Sequence, residues 1–93
     1  MAEAISAEIF APHVGATLLL SDGRKLTLTA IERHNATAAH RAGFTLLLRG
    51  PLTPIVHEGL HRFAFEDGAS FELYVMPIHT RSHDHQDYQI VFN

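Results

Sequence analysis

The chain has 93 residues, of which 46% are hydrophobic and 18% charged, a balance typical of folded globular proteins and not of disordered ones. Seven Lys and Arg against ten Asp and Glu give a formal charge of −3, which argues against a nucleic-acid partner. The lack of cysteine excludes disulfides and thiolate chemistry. The length predicts a single domain, residues 1–93. The lack of a long apolar run or a basic leader predicts a cytoplasmic protein with no membrane partner.

A short helix is predicted near the start of the chain. Ile5 and Ile9 stand one helical turn apart among Ala and Glu, which favours a helix from Ala4 to Phe10 that stops before Pro12. We expect this helix to act as a lid or plug on the rest of the fold.

The next segments predict a β-hairpin. Apolar residues alternate from Val14 to Leu20, and the turn Ser21 to Arg24 contains the Asp-Gly pair that hairpins favour. The partner strand runs from Lys25 to Arg33, where a phase slip at Ala30-Ile31 indicates a β-bulge. His34 to Gly43 has no apolar period and predicts a mobile loop.

Four further strands are predicted from alternating apolar residues. Gly50-Pro51 ends the first of them, and Glu66 to Ala69 supplies a second hairpin turn. Six short strands and one N-terminal helix predict a mainly β fold, either a small antiparallel six-stranded barrel or a β-roll. The inward side chains of the last four strands are expected to be Phe44, Leu46 and Leu48; Phe63 and Phe65; Phe71, Leu73 and Val75; and Tyr88, Ile90 and Phe92.

Four apolar residues alternate with these core residues, so their side chains are expected on the outer face of the strands: Leu19, Leu47, Tyr74 and Met76. Their strands are therefore apolar on both faces, and something should cover the outer one. The N-terminal helix is one candidate cover. The other is a protein partner or a second copy of the chain, in which case these four residues form an interface.

A histidine-rich segment is the densest chemical cluster. His79, His83 and His85 lie within seven residues and offer the ligand type used by zinc, nickel or copper, although no regular conformation aligns all three. His57 and His61 could complete a composite site if the two segments fold together. A solvated loop between the last two strands is the alternative interpretation.

Catalytic motifs are absent from the sequence. Ser82-His83-Asp84 has the residue types of a catalytic triad but cannot form one locally, because neighbouring residues of an extended chain point in opposite directions. Neither a phosphate-binding loop nor a dinucleotide fingerprint is present. We therefore predict a protein that is not an enzyme, with an enzyme of another type left open.

A series of landmarks runs along nearly the whole chain. They are Phe10, Val14-Gly15, Leu26-Thr27-Leu28, Phe44-Thr45-Leu46, Arg49-Gly50-Pro51, Val75-Met76-Pro77-Ile78 and Tyr88-Gln89-Ile90-Val91-Phe92-Asn93. Their order resembles that of a family of small bacterial domains of unknown function, which end in a Tyr-x-x-Val-Phe-Asn motif; Ile90 stands where the family has a small residue. The resemblance implies a shared fold, no catalytic residues, and an accessory role beside phage-tail-like assemblies.

Two functions follow from these observations. The first is a non-enzymatic structural or protein-interaction module, working as a homo-oligomer or with a protein partner. The alternative is a β-barrel that binds a small ligand or a transition metal through the histidine-rich loop.

Overall fold

Six strands and a short helix make up the part of the chain that the computed structural model describes, residues 5–37 and 42–92. Neighbouring strands are all antiparallel, and the order β1-β2-β3-β6-β5-β4 closes on itself. The predicted mainly β fold with one N-terminal helix is confirmed, and it is a barrel. The elements are α1 (Ala7–Phe10), a 3₁₀ turn (Ala11–His13), β1 (Thr17–Leu20), β2 (Lys25–His34), β3 (Gly43–Gly50), β4 (Gly59–Ala64), β5 (Ser70–Pro77) and β6 (Gln86–Phe92).

Both predicted hairpin turns are present, and each is held by an aspartate. The carboxylate of Asp22 accepts a hydrogen bond from the backbone N–H of Arg24 at 2.9 Å, and Asp67 accepts one from Ala69 at the same distance. Gly23 and Gly68 adopt φ angles of 92° and 91°, a backbone conformation that residues other than glycine rarely adopt. Sequence chemistry therefore fixes these two turns locally.

Several predicted boundaries differ from the structure. The helix begins at Ala7 and not at Ala4, since Ser6 has an extended backbone and Ile5 is exposed. The helical path does not stop before Pro12 but continues as the 3₁₀ turn, because proline is tolerated in the first turn of a helix, and the first strand therefore begins at Thr17 and not at Val14. The register shift in β2 lies between Leu28 and Ala30, one residue before the predicted slip. The predicted loop His34 to Gly43 is shorter than expected, since both of its end residues belong to strands and pair with each other; residues 38–41 lie outside the described residues.

Side chains from all six strands fill the barrel interior. Space is tight where β3 ends, because a Cβ on Gly50 would lie 2.5 Å from Cδ2 of the buried Leu26, which would have to shift. A barrel of six strands leaves room for little besides its own side chains. The innermost residues, each 4% exposed or less, are Leu18, Leu20, Leu26, Leu28, Leu46, Leu48, Phe63, Leu73, Val75, Tyr88 and Ile90.

The N-terminal helix plugs one end of the barrel, as predicted, and we call this helix with the following 3₁₀ turn, residues 7–13, the plug. Phe10 is fully buried, and its ring centroid lies 5.5–5.9 Å from those of four other phenylalanines. Aromatic rings at such separations gain attraction beyond the burial of their area. The four partners are Phe44, Phe65, Phe71 and Phe92.

The connection between β3 and β4, residues 51–58, covers the other end. Val56 is 1% exposed, and its backbone N–H donates a hydrogen bond of 2.9 Å to the hydroxyl of the buried Tyr88. The guanidinium of Arg24 donates to the carbonyl of Ile55 at 2.6 Å. Both ends of the barrel are thus covered from within the chain.

Candidate interaction surface

The outer side of β4 and β5 presents a row of exposed apolar side chains beside a row of charges. Leu60 pairs with Tyr74 across the two strands, Arg62 with Glu72, and Ala64 with Ser70. Leu60 is 63% exposed and Tyr74 is 47% exposed. These six residues point away from the core because strand side chains alternate, and we call them the β4–β5 face.

Tyr74 is held in place on this face. Its hydroxyl donates a hydrogen bond of 2.6 Å to Oε2 of Glu58, and this bond raises the pKa of Tyr74 above its usual range. The phenol is thereby kept neutral and its ring is fixed beside Leu60. A fixed, half-exposed tyrosine is a residue type that protein interfaces favour.

The two charges of the face lack ionic partners among the described residues. Arg62 donates a hydrogen bond of 3.1 Å to the hydroxyl of Ser70. Glu72 is exposed and forms no salt bridge within that part of the chain. Both charges therefore remain available to a partner.

Three of the four predicted interface residues lie near one another. Leu47 and Met76 flank Gln89 of β6 in register, and both are half-buried. Met76 is two residues from Tyr74 on β5, so the two side chains share the outer side. Leu19 is 44% exposed on β1 beside Ala64, so it is set apart from Tyr74 by the charged row.

The N-terminal helix does not cover this surface, since Leu19 and Tyr74 are exposed while the helix fills the barrel end. Leu60 was missed at the sequence level, although it lies on the opposite phase from Phe63 and Phe65. The same phase argument that selected Tyr74 would have found it. An interface role for these residues stays a prediction.

The histidine-rich segment forms a surface loop. His79 and His83 are exposed, and Nε2 of His85 lies 3.3 Å from Oδ1 of Asp87. Within residues 5–37 and 42–92, no three His, Asp or Glu side chains converge as a metal-binding group. Metal binding by His79, His83 and His85 stays a prediction without support from this geometry.

Two residues that sequence reasoning missed anchor this loop. The hydroxyl of Thr80 accepts a hydrogen bond from the backbone N–H of Asp87 at 2.9 Å, and the Gln86 amide donates to the carbonyl of Ile78 at 2.7 Å. The hydroxyl of Ser82 accepts from the N–H of Asp84 at 2.9 Å, so these two residues form a local turn and not a triad.

His13 is the most buried polar side chain of the plug, and no pattern in the sequence indicates its role. Its Nδ1 donates to Oε1 of Glu66 at 3.1 Å, while Nε2 lies 3.5 Å from Oδ2 of Asp67. The ring also packs edge-on against Phe65 at 4.6 Å. His13 therefore ties the plug to the β4–β5 turn, and its surroundings are those of a structural residue.

Comparison with protein families decides the membership of this chain. A family model described as "Domain of unknown function (DUF6916)" matches residues 5–92. The chain belongs to the DUF6916 family. Membership of a domain-of-unknown-function family, predicted from the order of landmarks, is thereby confirmed. Neither a curated protein nor a solved structure matches the chain.

The DUF6916 match covers the plug, all six strands and thus the whole β4–β5 face. Among the described residues of this domain, no helix is long and apolar enough to cross a membrane.

A groove of about 690 Å³ lies between the plug and the ends of β2, β3 and β6 of this DUF6916 domain. Phe44 and Phe92, stacked at 4.5 Å, line it together with Glu8 and Arg33. Nη1 of Arg33 donates to Oε1 of Glu8 at 2.9 Å, which lowers the pKa of Glu8. Among the described residues that line the groove, the carboxylate of Glu8 and the guanidinium of Arg33 are thus paired with each other.

Proposed function

We propose that this domain is a non-enzymatic protein-interaction module that binds a protein through the β4–β5 face. The observation that carries the proposal is the exposure of Leu60 and Tyr74, which stand side by side at 63% and 47%. Contiguous exposed apolar surface on a folded domain marks interaction sites, whereas apolar residues exposed singly do not. The half-buried Met76 extends the apolar surface along β5, and methionine adapts readily to a partner.

The filling of the barrel supports an outer surface over an inner cavity. Small-ligand barrels hold their ligand inside or at the mouth of the barrel. Here the interior is occupied by leucine and aromatic side chains, one mouth is closed by Phe10 and the other by Val56. The outer side of the strands is then the surface best suited to binding.

The same proposal includes the cellular location of the module and the class of its partner. Composition and charge favour a cytoplasmic location, with neither nucleic acid nor membrane as a partner. An accessory role in a larger assembly, which the family resemblance implies, would require such a surface. The β4–β5 face would then be covered by a neighbouring protein.

Site-specific photo-crosslinking tests this function. A photoreactive amino acid replaces Leu60 in one variant and the exposed Glu32 of β2 in a matched control, each in cells that produce the protein. We expect a specific protein adduct from position 60 and none from position 32, with the partner identified by mass spectrometry. No adduct at position 60, or the same adducts at both positions, would contradict the proposal.

A further inference from the structure

The β4–β5 face is complementary to itself. Each of its three rows joins one residue of β4 to one of β5, and two rows are matched in chemistry: Leu60 with Tyr74 is apolar with apolar, and Arg62 with Glu72 is positive with negative. Exchange of the two strands therefore sets an apolar residue against an apolar one and a charge against its opposite in these two rows. Such a pattern is what a symmetric, isologous interface requires.

Two in-plane symmetry axes lay all three rows of this face on the three rows of a second copy, and they differ in their electrostatics. An axis parallel to the strands, midway between β4 and β5, lays β4 of one copy over β5 of the other in the same row. Leu60 then faces the second copy's Tyr74, and Arg62 faces its Glu72. The alternative axis, perpendicular to the strands through the charged row, lays Arg62 on Arg62 and Glu72 on Glu72. Like charges in contact are strongly disfavoured, so the parallel axis is selected.

The charges of this row are free to make the contact. Arg62 binds the Ser70 hydroxyl, and neither it nor Glu72 forms a salt bridge among the described residues. Tyr74, fixed by its hydrogen bond to Glu58, loses little side-chain freedom when it is covered. The face therefore combines an apolar anchor with two identical charge pairs across the axis.

We propose that the β4–β5 face binds the same face of a second copy of this chain, about a two-fold axis that runs between β4 and β5 parallel to both. This inference rests on the proposed function and names the partner of the same face. Two strands on a convex barrel give a small contact, at or below about 1,200 Å² in total, so the dimer is of the weak, reversible class. Its dissociation constant is expected in the range of about 1–100 µM.

Charge reversal tests the arrangement without disturbing the core, because both charged side chains are exposed. Sedimentation equilibrium measures dimerisation of the wild type, Arg62→Glu, Glu72→Arg, and the double variant that carries both changes. Each single variant places like charges in both contacts across the axis and should dimerise at least ~10-fold more weakly. The double variant restores both contacts and should dimerise as the wild type does.

Mixing the two single variants gives the decisive result. One chain then has two glutamates in the charged row and the other has two arginines, so both contacts between them are attractive. An equimolar mixture should form a heterodimer where each variant alone is monomeric. If the substitutions acted only within each chain, by altering its own Arg62–Glu72 row, mixing the two variants would not produce a heterodimer.

The outcomes separate this inference from the proposed function. A wild type that stays monomeric up to about 1 mM overturns the second copy as partner, and so does a dimer that is indifferent to charge reversal. If the crosslink at position 60 then reaches a different protein, the interaction module stands and only the second copy fails. If position 60 gives no adduct and the chain is monomeric, both fail.

Discussion

At the scale of single residues, Tyr74 contributes both an apolar ring and a polar hydroxyl to the β4–β5 face. Its ring is 47% exposed beside Leu60, while its hydroxyl donates to Glu58 at 2.6 Å. A phenol that donates to a carboxylate must keep its proton, so the hydrogen bond favours the neutral form. The pKa of Tyr74 is accordingly raised, chiefly by this bond.

We predict that the tyrosinate absorbance of Tyr74 rises only above its ordinary pKa of about 10. The difference between the titrations of wild type and Tyr74→Phe isolates this residue from Tyr88. Glu58→Gln should return the transition towards the ordinary value. Since the folded state holds this proton more tightly, the stabilisation is present below about pH 10 and is lost as pH rises through the raised pKa. A transition that Glu58→Gln leaves unmoved would show that the hydrogen bond is not its cause.

At the scale of elements, the segment 51–58 depends on one hydrogen bond for its position over the barrel end. It has no regular secondary structure, and Pro51 and Pro54 remove two of its backbone donors. The N–H of Val56 donates to the Tyr88 hydroxyl in a buried site. Removal of that acceptor leaves a buried donor unpaired, which is costly.

We predict that Tyr88→Phe lowers the free energy of unfolding by about 1–3 kcal/mol and speeds hydrogen exchange at the Val56 amide. Urea unfolding followed by circular dichroism gives the first quantity, and amide exchange gives the second. Tyr74→Phe is the matched control, because it removes the same hydroxyl from an exposed tyrosine whose hydrogen bond to Glu58 is open to solvent, and it should cost clearly less stability than Tyr88→Phe. Equal losses in both variants would argue against the role of the Tyr88–Val56 bond.

The sequence predicted those elements whose cause is local. Alternation placed the strands, and the Asp-Gly pairs at Asp22 and Asp67 placed both hairpin turns, each held by its own aspartate. The pairing of β3 with β6 and the closure of β1 on β4 join residues distant in the chain, so no local pattern specifies them. His13 was missed for the same reason, since its partner Glu66 lies 53 residues away.

Of the candidate sites, the sequence identified the outer apolar phase of β5 but not the face it forms. That face exists because the β4–β5 register sets Leu60 beside Tyr74 and Arg62 beside Glu72. Register depends on the turn between the strands and on the fit of the core, which periodicity does not encode. The histidine-rich loop shows the converse, because closeness along the chain did not bring its side chains together.

At the scale of the whole molecule, the barrel has two well-paired groups, β2-β3-β6 and β4-β5. Strand β1 lies between them and pairs with β2 over three positions, and the β4–β5 hairpin meets the other strands at two short seams. In the described residues, β2 pairs with β3 and β3 with β6 over seven positions each, and β4 pairs with β5 over six. The β1–β4 and β5–β6 seams have two paired positions each. The β4–β5 hairpin is therefore the group that backbone pairing attaches least firmly.

Phe10 supplies the attachment that backbone pairing lacks. Its ring contacts Phe44 and Phe92 of the larger group and also Phe65 and Phe71 of the hairpin. We predict that native-state hydrogen exchange shows the β4–β5 hairpin opening at a lower free energy than β2, β3 and β6. Phe10→Leu should lower that opening energy by about 1 kcal/mol beyond its effect on the larger group, because packing at the junction is lost.

The control for this prediction is Ile90→Val, which removes one methylene group from the same core at β6 and leaves the phenylalanine rings that contact Phe10 intact. Its cost, about 0.5–1.5 kcal/mol, should appear in the exchange of the larger group and not selectively in the hairpin. If Phe10→Leu affects all strands equally, the barrel opens as one unit and the plug does not join two groups. A selective effect would mean that the β4–β5 face, where we propose the partner binds, lies on the most readily opened part of the fold.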